Sequence, residues 1–335
     1  MISRLVEISE KLADDRKHDP VVRARMELAM RGQFPRFLLI SPINRSSQDL
    51  QLFNMKLGDA FHATRVPGHA LLSPEQSLTL FKGPASYNHE FQSKRGVVLT
   101  FDSTESLDVV RETIESVRVH PHLRNLPILA FQVDYERGRA RLIVHGKGRD
   151  YANENNLLSK LRRPDELDSD LLVLLCCDSR IRPPRTGKGV PMAIRTLGGY
   201  IPAFSGNDDE TRQLDEFFRE WLSSMQDSKK ILIVAHGDFE GGGASCGAGT
   251  ASLHLDAIEN PLLQEIIEEL ENAAGQYESV LPNTPEERVR AISKASRANL
   301  LTYPSIADAH NLDQLAIDEI LMDTITNTLV QSEES

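Results

Sequence analysis

Residues 171–180 read LLVLLCCDSR, an apolar run of strand length that ends in two cysteines, an aspartate and an arginine. Residues 231–249 read ILIVAHGDFEGGGASCGAG, a second such run that ends in a histidine and reaches a third cysteine across a glycine-rich loop. In an open α/β sheet, ligands bind just beyond the carboxyl ends of adjacent strands. We therefore expect Cys176, His236 and Cys246 to meet at such an edge. Two thiolates and one imidazole suit zinc, and three protein ligands leave a fourth position for water, as in catalytic sites.

The composition narrows the class of protein. The chain has 335 residues, enough for two domains, and a net charge of -11 that argues against nucleic acid as the main partner. No segment reaches the roughly 18 apolar residues of a membrane span, and the acid-containing N-terminus does not look like a targeting signal. These features predict a cytoplasmic protein without a membrane partner. All three cysteines lie in the stretch just quoted, which favours metal binding or catalysis over a disulfide scaffold.

Apolar runs of strand length alternate with segments of helical periodicity along most of the chain. Strands are predicted at 37–41, 60–66, 97–101, 127–133, 140–144, 171–175, 191–196, 230–235 and 314–321. Helices are predicted at 3–31 with an interruption near Pro20, and at 103–119, 210–225, 257–277 and from Thr284 onward. This alternation indicates an α/β protein with mainly parallel sheets flanked by helices. Residues 70–96 are expected to be irregular, and 146–168 to connect two domains, 1–150 and 151–335.

The two halves of the sequence look like copies of one another. Four segments match in the same order, with Ser41 over Cys176, Ile43 over Asp178, Arg45 over Arg180, Arg65 over Arg195, Gly68 over Gly198 and Gln132 over His236. The alternative is two unrelated α/β stretches with generic strand patterns. If the repeat is real, the first copy has no metal, because Ser41 and Gln132 cannot replace a thiolate and an imidazole.

At this point the residues resemble the β-class carbonic anhydrases. Members of that family carry a Cys-x-Asp-Ser-Arg segment, an Arg-x-x-Gly segment, a His followed by Cys-Gly-Ala, and an Asn-Leu-x-x-Tyr-Pro segment. The corresponding segments here are Cys176–Arg180, Arg195–Gly198, His236 with Cys246–Ala248, and Asn299–Pro304. The resemblance covers about residues 170–330, and residues 20–45 look like the family's N-terminal helix and first strand with the motif eroded.

One departure from the family concerns the loop between the histidine and the third cysteine. The usual spacing is His-x-x-Cys, whereas nine residues separate His236 from Cys246 here. A longer loop resembles the ζ class of diatoms and the carboxysomal enzymes, branches that also contain tandem or degenerate copies. Glycines at 237, 241, 242 and 243 permit the positive φ angles needed to bring Cys246 back to the metal.

The resemblance implies a zinc enzyme that hydrates carbon dioxide reversibly to bicarbonate by attack of zinc-bound hydroxide. One Zn²⁺ per chain would be held by Cys176, His236 and Cys246, with Cd²⁺ as a substitute that thiolates accept. Asp178 and Arg180 are then the catalytic pair: Asp178 orients the attacking oxygen, and Arg180 holds the carboxylate by a bidentate pairing. If that pairing opens, Asp178 could itself become the fourth ligand. Gly198 and Gly247 are the candidate residues of the substrate pocket.

Several alternatives stay open from the sequence. The same site could serve a carbon disulfide or carbonyl sulfide hydrolase with a narrower entrance, or a non-catalytic scaffold that contains zinc. The three ligand candidates could also be ordinary core residues, and Cys177 is expected to be a buried small side chain. Since the family is built as dimers, the two copies are expected to form an internal pseudo-dimer with first-copy side chains at the zinc site. A homodimer of whole chains could follow.

Overall fold

Two five-stranded sheets, one in each half of the chain, make up the framework of the protein. The structure is a computed structural model. It describes residues 2–73, 76, 96–120, 123–145, 161–224, 228–239, 241, 243–258, 261–276 and 283–330. Most of the predicted irregular stretch 70–96 and of the connection 146–168 lies outside these ranges. Within the described ranges, none of the helices is both long and apolar enough to cross a membrane.

The first half begins with two helices and continues into a mixed sheet. Its helices are α1 Ile2–Lys17, α2 Pro20–Met30, α3 Ser46–Leu52 and α4 Leu107–Val119. Its strands are β1 Phe37–Pro42, β2 Ala60–Arg65, β3 Gly96–Asp102, β4 Ile128–Asp134 and β5 Arg139–His145, in the order β2-β1-β3-β4-β5. Asp19 caps α2 by accepting hydrogen bonds from Val21 N and Val22 N, with Pro20 at the first helical position. This cap explains the predicted interruption near Pro20.

The second half repeats this arrangement. Its strands are β6 Leu167–Cys176, β7 Val190–Thr196, β8 Lys229–Gly237, β9 Leu315–Asp323 and β10 Leu329–Val330. Its helices are α5 Asp209–Ser223, α6 Gly247–Ser252, α7 Pro261–Gly275, α8 Pro285–Leu300 and α9 Pro304–Asn311. Thr284 caps α8 by accepting from Glu287 N, as its sequence predicts. In both sheets the last strand is antiparallel and all other pairings are parallel, which confirms the predicted fold class.

The strand order corrects the repeat that was drawn from the sequence. Read from its other edge, the second sheet runs β7-β6-β8-β9-β10, so β3 occupies the place of β8, and β4 that of β9. The alignment of Gln132 with His236 is therefore wrong, because Gln132 lies in β4. With Ser41 placed on Cys176, the strand registers put Phe101 at the position of His236. The same registers put Ala63, rather than Arg65, at the position of Arg195.

The two halves meet where the edge strands β2 and β7 lie against each other. The carbonyl of Cys177 accepts a hydrogen bond of 3.0 Å from the amide of His62, and that of Ile43 accepts one of 3.2 Å from the amide of Ala193. An amide of each half thus donates a hydrogen bond to a carbonyl in the loop that follows the first strand of the other half. This reciprocity is the pattern of a two-fold contact, as an internal pseudo-dimer requires.

Buried apolar side chains continue across this junction. Leu38 and Phe61 of the first half belong to the same buried cluster as Leu175 and Cys246 of the second. Ile43 of the first half belongs to a further cluster that is otherwise built mainly from the second half. Because residues of both halves fill these clusters, the halves share a core instead of touching through a wet surface.

Four short elements are absent from the sequence-based prediction. Helices α3, α6 and α9 and strand β10 span seven, six, eight and two residues, too few for a periodic apolar pattern to mark them. Several boundaries also differ. Strand β6 begins at Leu167 instead of residue 171. Strand β8 extends to Gly237, so that His236 lies within the strand, and α7 begins at Pro261 instead of near residue 257.

A chain shortened to residues 155–335 should self-associate or aggregate. Removing the first half leaves the Cys177 carbonyl and the Ala193 amide without their partners and uncovers apolar surface of the shared core. Sedimentation velocity of the shortened chain beside the full-length chain measures this. A monodisperse monomer with a cooperative thermal transition would contradict the shared core.

Candidate metal centre

Three potential metal ligands converge at the carboxyl edge of the second sheet. Cys176 is the last residue of β6, His236 lies near the end of the adjacent β8, and Cys246 immediately precedes α6. Their ligand atoms all lie within 4.8 Å of one another, and the three residues are 3%, 1% and 0% exposed. The residues predicted from the sequence to form a ligand set are therefore brought together. The grouping has the composition and closeness of a metal site.

The orientation of His236 leaves one ring nitrogen for a metal. Its Nδ1 lies 2.9 Å from the hydroxyl of Thr324, and that hydroxyl donates to the carbonyl of Gly237 at 3.2 Å. The hydroxyl oxygen therefore accepts from Nδ1–H, which fixes the tautomer with the lone pair on Nε2. Among the described residues, the buried Nε2 has no hydrogen-bond partner. A buried, unpaired nitrogen beside two thiols is what a metal-binding residue needs.

The two thiols differ in their acidity before any metal binds. Hydrogen bonds with Cys177 and Cys246 hold the pKa of Cys176 well below its ordinary value. The amide of Gly198 also donates to the Cys176 sulfur at 3.2 Å. By contrast, the hydrogen bond to Cys176 and burial raise the pKa of Cys246. Metal-ligating cysteines must be deprotonated, so binding of a cation at this group would release protons.

Asp178 and Arg180 form a closed pair beside these ligands. Arg180 Nη2 donates to Asp178 Oδ2 at 2.7 Å, and Arg180 Nε donates to Asp178 Oδ1 at 3.0 Å, so the pairing is bidentate. Asp178 Oδ2 lies 3.9 Å from His236 Nε2. The Asp178–Arg180 pair is therefore closed, and the Asp178 carboxylate lies next to the ligand group.

A second arginine keeps the loop after β6 in shape. Arg195 is almost completely buried and donates through Nη2 to the main-chain carbonyls of Cys176, Asp178 and Ile181 at 3.0, 2.9 and 3.3 Å. Burial lowers the pKa of Arg195 to about 10, which still leaves it charged at neutral pH. These bonds fix the turn that carries both Cys176 and Asp178.

The long loop between His236 and Cys246 closes with the help of glycines. Gly241 and Gly243 have φ angles of +75° and +79°, which side chains other than glycine rarely adopt. Gly237 lies inside β8 and has no positive φ, and residue 242 lies outside the described ranges. At the far end of the loop, the carbonyl of Ser245 accepts a hydrogen bond of 2.8 Å from Arg180. The arginine of the pair thereby also positions the loop that delivers Cys246.

The first half of the chain supplies part of the site. Gln33 Nε2 donates to Asp178 Oδ2 at 2.9 Å, and Gln33 Oε1 accepts from the amide of Ser179 at 3.4 Å. Gly32 and Phe61 line the same cavity, whose volume is about 480 Å³. Sequence reasoning missed Gln33, although it lies in the stretch that resembles the family's N-terminal segment. Nothing in its local pattern marks it, since its partner is 145 residues away.

The cavity beside the ligands has mostly apolar walls and a polar end. Cys176, Asp178 and Arg180 lie at the polar end, and the apolar lining includes Leu197, Ala248, Leu263 and Ile267. Of the two glycines predicted for a substrate pocket, Gly247 lines the cavity. Gly198 is not among its lining residues. Its main-chain amide instead donates a hydrogen bond to the sulfur of Cys176.

Two further residues near the ligand group have definite places. Cys177 is fully buried, as expected, and does not belong to the group of ligand atoms. His254 is exposed and belongs to the cavity lining.

Comparisons with known proteins give similarities among solved structures alone: no protein-family model matches the chain, and no curated protein matches it. The β-carbonic anhydrase CcaA is 20% identical, over 54% of this chain and 84% of that chain, with a TM-score of 0.36. A tetrameric β-carbonic anhydrase from the ascomycete Sordaria macrospora is 17% identical, over 49% and 80% respectively, with a TM-score of 0.36. The apo form of a carbon disulfide hydrolase is 17% identical, over 51% and 81%, with a TM-score of 0.28.

These similarities cover about half of the chain and describe a likeness of fold to β-carbonic anhydrases. TM-scores below 0.5 and identities of 20% or less do not decide an activity. Function therefore has to be argued from the residues of the site.

Thr324→Val should weaken metal binding by about 10- to 100-fold, the usual effect of removing a group that orients a ligand. Valine has a similar shape but cannot accept from His236 Nδ1, so the tautomer and the ring orientation are no longer fixed. Competitive titration with Zn²⁺ and a chromophoric chelator measures the affinity. The exposed change Thr104→Val serves as control, and equal affinities in all three proteins would contradict the assigned role of Thr324.

Proposed function

We propose that this protein is a divergent β-carbonic anhydrase that hydrates carbon dioxide reversibly, with one zinc ion at Cys176, His236 and Cys246. The single observation that carries the proposal is the closed Asp178–Arg180 pair directly beside the buried ligand group. A purely structural zinc site needs four protein ligands and no adjoining carboxylate pair. Here three ligands stand beside a carboxylate whose orientation is fixed.

The ligand set supports zinc. Two thiolates and a neutral imidazole balance the charge of Zn²⁺, and the unpaired Nε2 of His236 is available as donor. Zinc in such a site supplies a Lewis acid that lowers the pKa of water to about 7. Cadmium can substitute for zinc because thiolates are soft ligands.

Asp178 has the role of orienting the attacking oxygen. Its carboxylate receives hydrogen bonds from Arg180 and Gln33, which fix its orientation. An ionised carboxylate only accepts hydrogen bonds, so it selects the orientation in which the nucleophile donates a hydrogen bond to Asp178 and turns a lone pair toward the substrate. The arrangement therefore lowers the entropy cost of reaching the reactive geometry.

The cavity walls fit a small uncharged substrate. Apolar side chains such as Leu197, Ala248 and Ile267 surround the space next to the ligands, and they favour a linear, non-polar molecule over a charged one. Bicarbonate, the charged product, is correspondingly poorly held by these walls. Carbon disulfide and carbonyl sulfide share the shape of carbon dioxide, so parallel assays with the three substrates are the test that separates a carbonic anhydrase from a hydrolase.

The proposal extends to the organisation of the chain. Residues 1–150 act as a metal-free partner domain of the zinc-binding domain 151–335. The matching strand order of the two sheets supports an origin by duplication. The contributions of Gln33 and Phe61 to the cavity support this division of labour. A homodimer of whole chains is compatible with it, and the cytoplasmic location stays a prediction.

Native mass spectrometry should find one zinc per chain, and Cys246→Ser should abolish binding, because a serine hydroxyl is a poor ligand for zinc. Cys177→Ala is the matched control: it removes a neighbouring buried thiol outside the ligand group and should keep the metal. A second metal ion per wild-type chain, or full occupancy in Cys246→Ser, would contradict the assigned site.

Asp178→Asn should keep the zinc and lose at least about 100-fold in kcat/KM for carbon dioxide hydration. The amide can donate to the attacking oxygen in the wrong sense and no longer pairs with the charge of Arg180. Arg180→Lys should also be impaired, since a point charge cannot form two parallel bonds. Stopped-flow assays of carbon dioxide hydration measure the activity of both variants. Asp256→Asn, an exposed change in the same half of the chain, serves as control. Near-native turnover in Asp178→Asn would disprove the role of the carboxylate.

A further inference from the structure

A second cavity lies at the junction of the two halves, away from the ligand group. Its volume is about 540 Å³, and it shares no lining residue with the metal cavity. Helices α1 and α2, the segment after α3, residues 162–165 and the loop 182–185 enclose it. A volume of this size is typical of pockets for small molecules.

The lining of this junction pocket is strongly basic. Six basic residues and two acidic residues line it: Arg25, Lys56, Arg162, Arg163, Arg182, Arg185, Asp19 and Asp165. An excess of four positive charges stands out in a chain whose net charge is -11. Basic side chains gathered in a concave site attract and concentrate anions.

Several of these basic groups are not neutralised by neighbours. Arg25 pairs with Asp59 at 2.8 Å, and Arg185 pairs with Asp165 at 2.6 Å. For Arg162 and Arg163, no ion pair joins the guanidinium to any residue that the structure describes, and both residues are exposed. Their planar N–H groups are free to hold an oxyanion through two parallel hydrogen bonds.

A buried hydroxyl points to the same kind of ligand. Ser47 lines the pocket, is only 4% exposed, and its Oγ has no hydrogen-bond partner among the described residues. Buried polar groups in proteins are normally paired, so an unpaired hydroxyl on a cavity wall indicates a partner that enters the cavity. An oxygen of an anion would accept its proton.

Part of the lining is apolar. Val22, Met26, Leu50 and Ile325 contribute to the wall, so that the pocket offers more than a set of charges. The volume also exceeds what a single inorganic oxyanion fills. We propose that the junction pocket binds a phosphorylated small molecule, with its phosphate held by Arg162, Arg163 and Ser47 and its remaining part against the apolar wall. A multiply charged phosphate matches the basic lining around Arg162 and Arg163 better than a single carboxylate does.

Isothermal titration with inorganic pyrophosphate tests the phosphate site directly, with citrate as a carboxylate of comparable charge. Pyrophosphate should bind once per chain and more tightly than citrate. The double change Arg162→Gln with Arg163→Gln should weaken binding at least about 10-fold, and Ser47→Ala about 3- to 10-fold. The matched control removes two exposed arginines on and after α4, Arg111→Gln with Arg124→Gln, and should bind as the wild type does.

Pyrophosphate also chelates metals, so the titration is repeated with Cys246→Ser, in which the proposed metal centre is lost. Retained binding in that variant, together with loss in the Arg162 and Arg163 variant, supports the junction pocket and stays informative even if the proposed enzymatic function fails. Three results would overturn the inference: no saturable binding by the wild type, equal weakening in the control pair, or tighter binding of citrate than of pyrophosphate.

Discussion

The hydrogen bonds that hold the Asp178 carboxylate connect the parts of the site to one another. Arg180 holds it from the same loop, and Gln33 holds it from the other half of the chain. Arg180 also binds the Ser245 carbonyl, which places Cys246 next to Cys176 and His236. One buried ion pair thus joins the loop after β6, the long glycine loop and the first half. Such a pair is strong only where all of its hydrogen bonds are satisfied, and that requirement ties the three segments together.

The first half therefore contributes side chains to the site, although its sequence contains no cysteine. Its sheet has the same strand order as the second sheet, and Phe101 occupies the position of His236. An aromatic ring there packs in the core and cannot coordinate a metal. The first half provides a complementary surface, including the strand edge of β2 and the cavity residues Gln33 and Phe61.

The sequence alone was enough to predict the fold class, most of the strands and the convergence of Cys176, His236 and Cys246. The physical reason is local: apolar runs of strand length identify the strands, and the carboxyl ends of parallel strands share one edge of a sheet. The Asp178–Arg180 pair is also local, two residues apart on one loop. The repeat was only partly readable, because matching apolar runs in chain order cannot show which strands are neighbours in the sheet.

Only the tertiary structure decided which distant residues complete the site. Thr324 lies 88 residues from His236, and Gln33 lies 145 residues from Asp178. A threonine or a glutamine carries no pattern that announces such a partner, since its hydrogen bond depends on how two separate elements pack. The position of Gly198, whose amide serves the Cys176 sulfur instead of lining the cavity, was decided in the same way. Residue types and spacing determine what chemistry is available, and packing over long separations determines which groups meet to perform it.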